Sequence, residues 1–180
     1  MYNHFDSYPD GLGANVIEFI KSTSIDEMKA IAKRLVLVKD DDVCPKALRS
    51  QYKKTLNTGV GGSGGDKWYN YLRGAQGELS FYKDKKFKHM IDYASFLESS
   101  LFCEYAYIIN LDTNKLEFYV GFNHNPKAAG RYANAETHGV ETKYYGVVLA
   151  QEFALQTVAS TPANKILKRM EEAEGKLQKD

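Results

Sequence analysis

The chain has 180 residues, 43% apolar and 26% charged, a globular composition that excludes a wholly disordered or fibrous protein. Its 24 Lys and Arg against 23 Asp and Glu give a formal charge of +1, so no whole-chain field draws it to nucleic acid and bulk nucleic-acid binding is not expected. Cys44 and Cys103 are too few for a disulfide framework and belong to no metal-type pair, and no apolar run reaches signal-peptide or membrane-span length; a soluble protein of a reducing cytoplasm, without a membrane partner, is expected.

The length fits one domain, read as residues 1–160, followed by a charged helix or tail over 161–180. Residues 2–6 read as the end of an extended segment, and Tyr8-Pro9-Asp10-Gly11 has turn chemistry. Val16, Ile17, Phe19 and Ile20 predict a helix over 15–22. Ser24 and Glu27 then form a capping-box pattern at the head of a second helix, with Met28, Ile31, Ala32 and Leu35 on its apolar side. A basic stretch over 47–56 has helical character. Residues 59–65 hold five glycines in seven and predict a surface loop; the run ends in Asp66-Lys67-Trp68, without the Gly-Lys-Ser/Thr of a phosphate-binding loop.

Further on, 78–82 alternates like a strand, and Phe87, Met90, Ile91, Ala94 and Leu97 have helical spacing. Two β-rich runs over 101–110 and 115–122 are joined by Asp112-Thr113-Asn114 and predict a hairpin. A further strand is expected over 144–151. Beyond Pro162, Ile166, Met170, Ala173 and Leu177 form a narrow apolar stripe that can pack on the domain or on a second copy, giving a homo-oligomer through helix 163–178. The fold class is therefore α+β: a small, mostly antiparallel sheet with helices packed on one face and a charged C-terminal helix.

Chemistry-bearing residues concentrate in three blocks. His4 and Asp6, two apart, share one face of an extended segment and can hold a proton or a ligand; Asp6 can equally serve the turn at Tyr8-Pro9. Trp68, Tyr69, Arg73 and Gln76 can share one face of a helical turn, where an aromatic platform beside a guanidinium suits a flat, anionic, nucleotide-like ligand. The same residues also fit a core tryptophan with Arg73 in a salt bridge. Glu104, on the hairpin, is a partner for Arg73 if it points inward. The remaining histidines show no paired spacing that nominates a metal, and neither cofactor nor metal is expected.

These blocks, His4 to Gly13, Trp68 to Gly77 and Phe102 to Tyr107, resemble a family of small proteins of tailed bacteriophages and prophages. That family shares a His-(Phe/Trp)-Asp-x-Tyr-Pro-x-Gly-x-Gly opening, a Trp-Tyr-x-x-Leu-Arg-x-x-Gln-Gly block and a Phe-Cys-Glu-(Tyr/Trp)-x-Tyr strand. The likeness covers roughly the first 150 residues and carries no settled activity; the charged tail after Pro162 departs from it. It implies an accessory protein in the cytoplasm of an infected bacterium, acting on the host in the manner of an anti-defence factor. On this reading His4, Asp6, Tyr8, Trp68, Tyr69, Arg73, Gln76 and Glu104 bind a nucleotide-like signalling ligand or a host protein without turnover. The alternative is a small metal-assisted hydrolase or nuclease using His4, Asp6 and Glu104.

Overall fold

A computed structural model describes residue 3 and residues 7–55, 65–75, 77–135 and 144–177, with the backbone alone for 53–55. The architecture is α+β: among the described residues, six α-helices accompany a two-stranded parallel sheet and a three-stranded antiparallel one. The chain divides into two compact units. Unit 1 comprises Met1–His4 and Lys29–Tyr93, and unit 2 comprises Phe5–Met28 and Ala94–Asp180.

Unit 2 holds the predicted hairpin. Strands β3 (Tyr105–Asn110) and β4 (Lys115–Val120) pair antiparallel from Tyr105↔Val120 to Asn110↔Lys115. The Asn110 side chain closes the turn, its Oδ1 accepting the N–H groups of Asp112 and Thr113, while Asn114 takes a positive φ. Strand β5 (Val148–Ala154) adds to the other side of β4, with a register shift between Phe118 and Tyr119, so β4 is central and buried almost throughout.

One sheet face carries Tyr105, Tyr107, Leu116, Phe118 and Phe153. Helices α5 (Leu155–Ser160) and α6 (Ala163–Leu177) pack on the sheet and α1 (Ala14–Lys21) packs on both helices; together they bury Val16, Ile17, Ile20, Leu155, Val158, Ile166 and Met170. Three residues of the C-terminal stripe, Ile166, Met170 and Ala173, are thus interior to unit 2, and Leu177 is exposed.

The opposite face is closed by segments of irregular chain. Cys103, Ala106, Tyr119 and Val147 pack there with Phe96, Leu97, Ile108, Tyr132 and Leu149. Buried Asn123 ties these segments together, donating to the carbonyls of Ala133 (3.0 Å) and Gly146 (2.9 Å) and accepting the Asn125 N–H. The approach demands glycine at two points: a Cβ on Gly121 would lie 2.2 Å from the Cys103 carbonyl oxygen, and one on Gly146 would lie 1.9 Å from that of Tyr132.

Helix α2 (Ile25–Arg34) begins in unit 2 and ends in unit 1. Ser24 caps it as predicted, its Oγ accepting the Glu27 N–H at 3.2 Å. In unit 1, β1 (Val36–Val38) pairs in parallel with β2 (His89–Ile91), and helices α3 (Lys46–Thr55) and α4 (Trp68–Leu72) add Tyr52, Trp68, Tyr71 and Leu72 to the interior.

Unit 1 departs most from expectation. The strand expected over 78–82 is a tight helical turn, Leu79–Lys83. Phe81 and Tyr82 would point to opposite faces of a strand, whereas the turn sets their rings 5.1 Å apart, with Phe81 stacked on Phe87. The helix expected over 87–97 is β2 followed by a second tight turn, Ala94–Glu98. Phe87, His89 and Ile91 alternate inward with a period of two, and pairing with β1 selects that period over the helical one. Strand β1 and helix α5 were not anticipated, and the strand expected at 144 begins at Val148 instead. The opening extended segment and most of the glycine run fall outside the described residues.

Candidate functional site

Helix α4 is a single turn whose first two N–H groups, of Trp68 and Tyr69, are spent on the carbonyls of Asp42 and Asp40 (both 2.9 Å). This fixes its rotation and points Trp68 inward. The indole is 3% exposed, stacked on the His89 imidazole at 4.6 Å and edge-on to Tyr52 at 5.3 Å. Trp68 therefore contributes its ring to the interior of unit 1.

Tyr69 and Arg73 lie one helical turn apart, both partly buried, and the guanidinium carbon of Arg73 sits 5.4 Å from the centre of the Tyr69 ring. Among the described residues no carboxylate pairs with Arg73. The two readings of this block are thus divided: the tryptophan is interior, while the arginine rests on an aromatic ring rather than in a salt bridge. Gln76 lies outside the described residues.

Behind α4 is a group that sequence reasoning missed. The Tyr52 hydroxyl lies 2.7 Å from His89 Nδ1, and the Tyr82 hydroxyl donates to the His89 carbonyl at 3.1 Å. Burial lowers the His89 pKa and the Lys88 ammonium adds to this, while burial raises that of Tyr52, so the phenol donates and a neutral imidazole accepts. Tyr52 and His89 are 37 residues apart, and no local pattern links them. Nearby Cys44 is fully buried, which raises its thiol pKa.

In unit 2 the opening block meets the hairpin block. The Tyr107 hydroxyl donates to the Ser7 carbonyl at 2.9 Å, Gly13 fits against the Tyr107 ring, and the Tyr8 ring lies 5.4 Å from that of Tyr105. Gly11 and Gly13 both direct their N–H groups at the Tyr8 carbonyl, which coils the chain beneath the ring. The Tyr105 hydroxyl donates to Glu174 of α6 at 2.8 Å. Glu104 is exposed, its carbonyl accepting from Gly121, so its carboxylate needs no buried partner. His4 and Asp6 lie outside the described residues. The three blocks are therefore distributed: Trp68, Tyr69 and Arg73 belong to unit 1, and Tyr8 and Glu104 to unit 2.

A buried carboxylate was also missed. Glu117, on central strand β4, is 4% exposed and accepts from Asn110 (2.7 Å), the Tyr119 hydroxyl (2.8 Å) and the Arg131 guanidinium. Its signal was present: it is the lone charge in the run Leu116-Glu117-Phe118-Tyr119-Val120. On the same face, Cys103 is an interior thiol whose pKa burial pushes up to about 12.

Among the described residues no three His, Cys, Asp or Glu side chains are grouped to hold a metal ion, and no helix is long and apolar enough to cross a membrane. Compared with protein-family models, with curated proteins and with solved structures, the chain matches none.

Proposed function

We propose that this is a binding protein whose unit 1 takes a flat, anionic, nucleotide-like ligand on the face formed by Tyr69 and Arg73. One observation carries the reading. The Arg73 guanidinium is held over an aromatic ring with no carboxylate of the described residues on its hydrogen-bonding fork. A guanidinium fixed this way has lost little further freedom when it closes a paired hydrogen bond on a phosphate, and the adjoining ring gives a base something to stack on. The inward anchoring of Trp68 supports the reading too, because it stiffens the turn that carries both groups. Together with the phage-like sequence blocks, this favours an accessory protein that sequesters a host signalling nucleotide in the bacterial cytoplasm, holding it without turnover.

The test is thermal unfolding of the full chain with a panel of nucleoside monophosphates and cyclic dinucleotides. A ligand present at about 100 times its dissociation constant should stabilise the protein by about 2.7 kcal/mol. Arg73→Gln should weaken the affinity at least about tenfold, as expected for loss of a charged hydrogen bond worth about 1.5–3 kcal/mol, and so cut the stabilisation at that ligand concentration to about 1.4 kcal/mol or less. No response to any nucleotide, or an unchanged response in Arg73→Gln, overturns the proposal.

A further inference from the structure

The near-zero charge of the chain is a sum of opposites. Residues 29–93, which make up all but the first four of unit 1, carry fourteen Lys and Arg against seven Asp and Glu, a formal +7; residues 5–28 and 94–180 of unit 2 carry ten against sixteen, a formal −6. The absence of a field expected from the whole-chain composition does not hold unit by unit.

The positive charge has a focus. Lys83, Lys85, Lys86 and Lys88 fall within six residues that lead straight into β2. The backbone of this segment is pinned from two sides. The Lys86 carbonyl accepts from the Gln51 amide of α3 at 2.6 Å, and the Lys88 carbonyl accepts from the Val36 N–H of β1 at 2.6 Å. Tyr82 and Phe87 anchor it inward, at 2% and 4% exposure. Lys85, Lys86 and Lys88 are exposed and make no ion pair among the described residues. The one carboxylate in the segment, Asp84, is turned to its own backbone, accepting the Lys86 N–H at 2.9 Å.

We infer that this lysine segment of unit 1 is a contact surface for the phosphate backbone of a nucleic acid. Its composition distinguishes it from a protein-docking surface. Protein interfaces are built around exposed aromatic anchors and are poor in lysine; here Tyr82 and Phe87 point inward, and the exposed residues of 83–88 are Lys85, Lys86, Lys88 and the self-capped Asp84. The ammonium groups of Lys85, Lys86 and Lys88, on flexible stems spaced one and two residues apart on a fixed backbone, match a ladder of separate point charges better than a single carboxylate or a planar ligand. The contact carries no base-reading groups, so it is indifferent to sequence. It rests on the charge distribution and not on Arg73, and the two proposals fail separately.

Fluorescence anisotropy with a labelled single-stranded oligonucleotide of about 20 nucleotides, titrated with the full chain across a range of salt, tests it. Binding should weaken with salt. In the triple variant Lys85→Gln, Lys86→Gln, Lys88→Gln, the slope of log K against log salt should fall by about 2, roughly 0.7 per lost phosphate contact. The matching loss of affinity is about a hundredfold near 0.1 M salt. The triple variant with Arg at the same positions should bind like the unsubstituted chain, which separates charge from folding. No oligonucleotide binding at low salt, an unchanged slope in the Gln variant, or equal affinity for polyglutamate or anionic lipid vesicles overturns the inference.

Discussion

The two units solve the same problem, an ionisable group in the interior, in opposite ways. Unit 2 buries a charge: Glu117 stays at the centre of the sheet because a guanidinium, a phenol and an amide converge on it. Unit 1 buries a neutral group: His89 gives up its proton, accepts a hydrogen bond from Tyr52 and stacks on Trp68. A paired buried charge fails when its partners are removed, and a neutralised one when the proton returns. The units should therefore differ in which perturbation breaks them.

The largest effect is expected at Glu117. Removing its carboxylate leaves two donors of the sheet, the Tyr119 hydroxyl and the Asn110 amide, without their acceptor, at about 1–3 kcal/mol each. Glu117→Ala strands the Tyr119 hydroxyl, which is buried, and frees Arg131, which reaches solvent. Denaturant unfolding followed by far-UV circular dichroism should register a loss of that size, and Glu117→Gln, which keeps an acceptor, a smaller one. A loss below about 1 kcal/mol in Glu117→Ala would show that the carboxylate is dispensable to the sheet.

A smaller loss is expected on the other side of the comparison. Tyr52→Phe keeps the ring packed against Trp68 and Phe87 and deletes the hydroxyl, which donates to His89 Nδ1 and accepts the His89 N–H at 3.3 Å. The imidazole then has an unmet buried acceptor, at a cost of about 1–3 kcal/mol. Trp68 is the sole tryptophan and touches both partners, so its emission reports this unit directly. The Trp68 unfolding midpoint should fall in Tyr52→Phe, and an unchanged midpoint would remove the hydrogen bond from the account of this core.

What the sequence disclosed follows the range of the interactions involved. The hairpin, the capped second helix and the C-terminal helix rest on neighbours within a few residues, and all three stand where periodicity and turn chemistry put them. Strand β1 has no such local support: three residues become a strand because His89 to Ile91, some fifty residues on, supply the partner, and that same pairing overrides the helical spacing of 87–97. The three blocks were legible as concentrations of polar and aromatic residues, and the meeting of Tyr8 with Tyr105 joins two of them. Their division between units, and the charge separation that goes with it, was not legible, because the sum over the chain conceals both.

The smallest predicted effect is also the one that discriminates best between the two interiors. His89 has its pKa lowered in the folded state, first by burial and then by Lys88, so the native protein resists a proton that the unfolded chain accepts. Above the ordinary histidine value of about 6.5, both states are neutral at this site and nothing is lost. As the pH falls below that value the unfolded chain binds the proton first, and stability declines until the folded-state pKa is passed, where the slope vanishes. A single site of this kind makes the decline a small one. Denaturant midpoints from Trp68 emission should therefore fall modestly between roughly pH 7.5 and 5.5, bracketing the ordinary histidine value. His89→Gln, less stable at neutral pH, should lose this contribution to the decline. If the two proteins lose stability in parallel over that range, the proton is taken up elsewhere, and the contrast between a neutralised core and a paired one would rest on Glu117 alone.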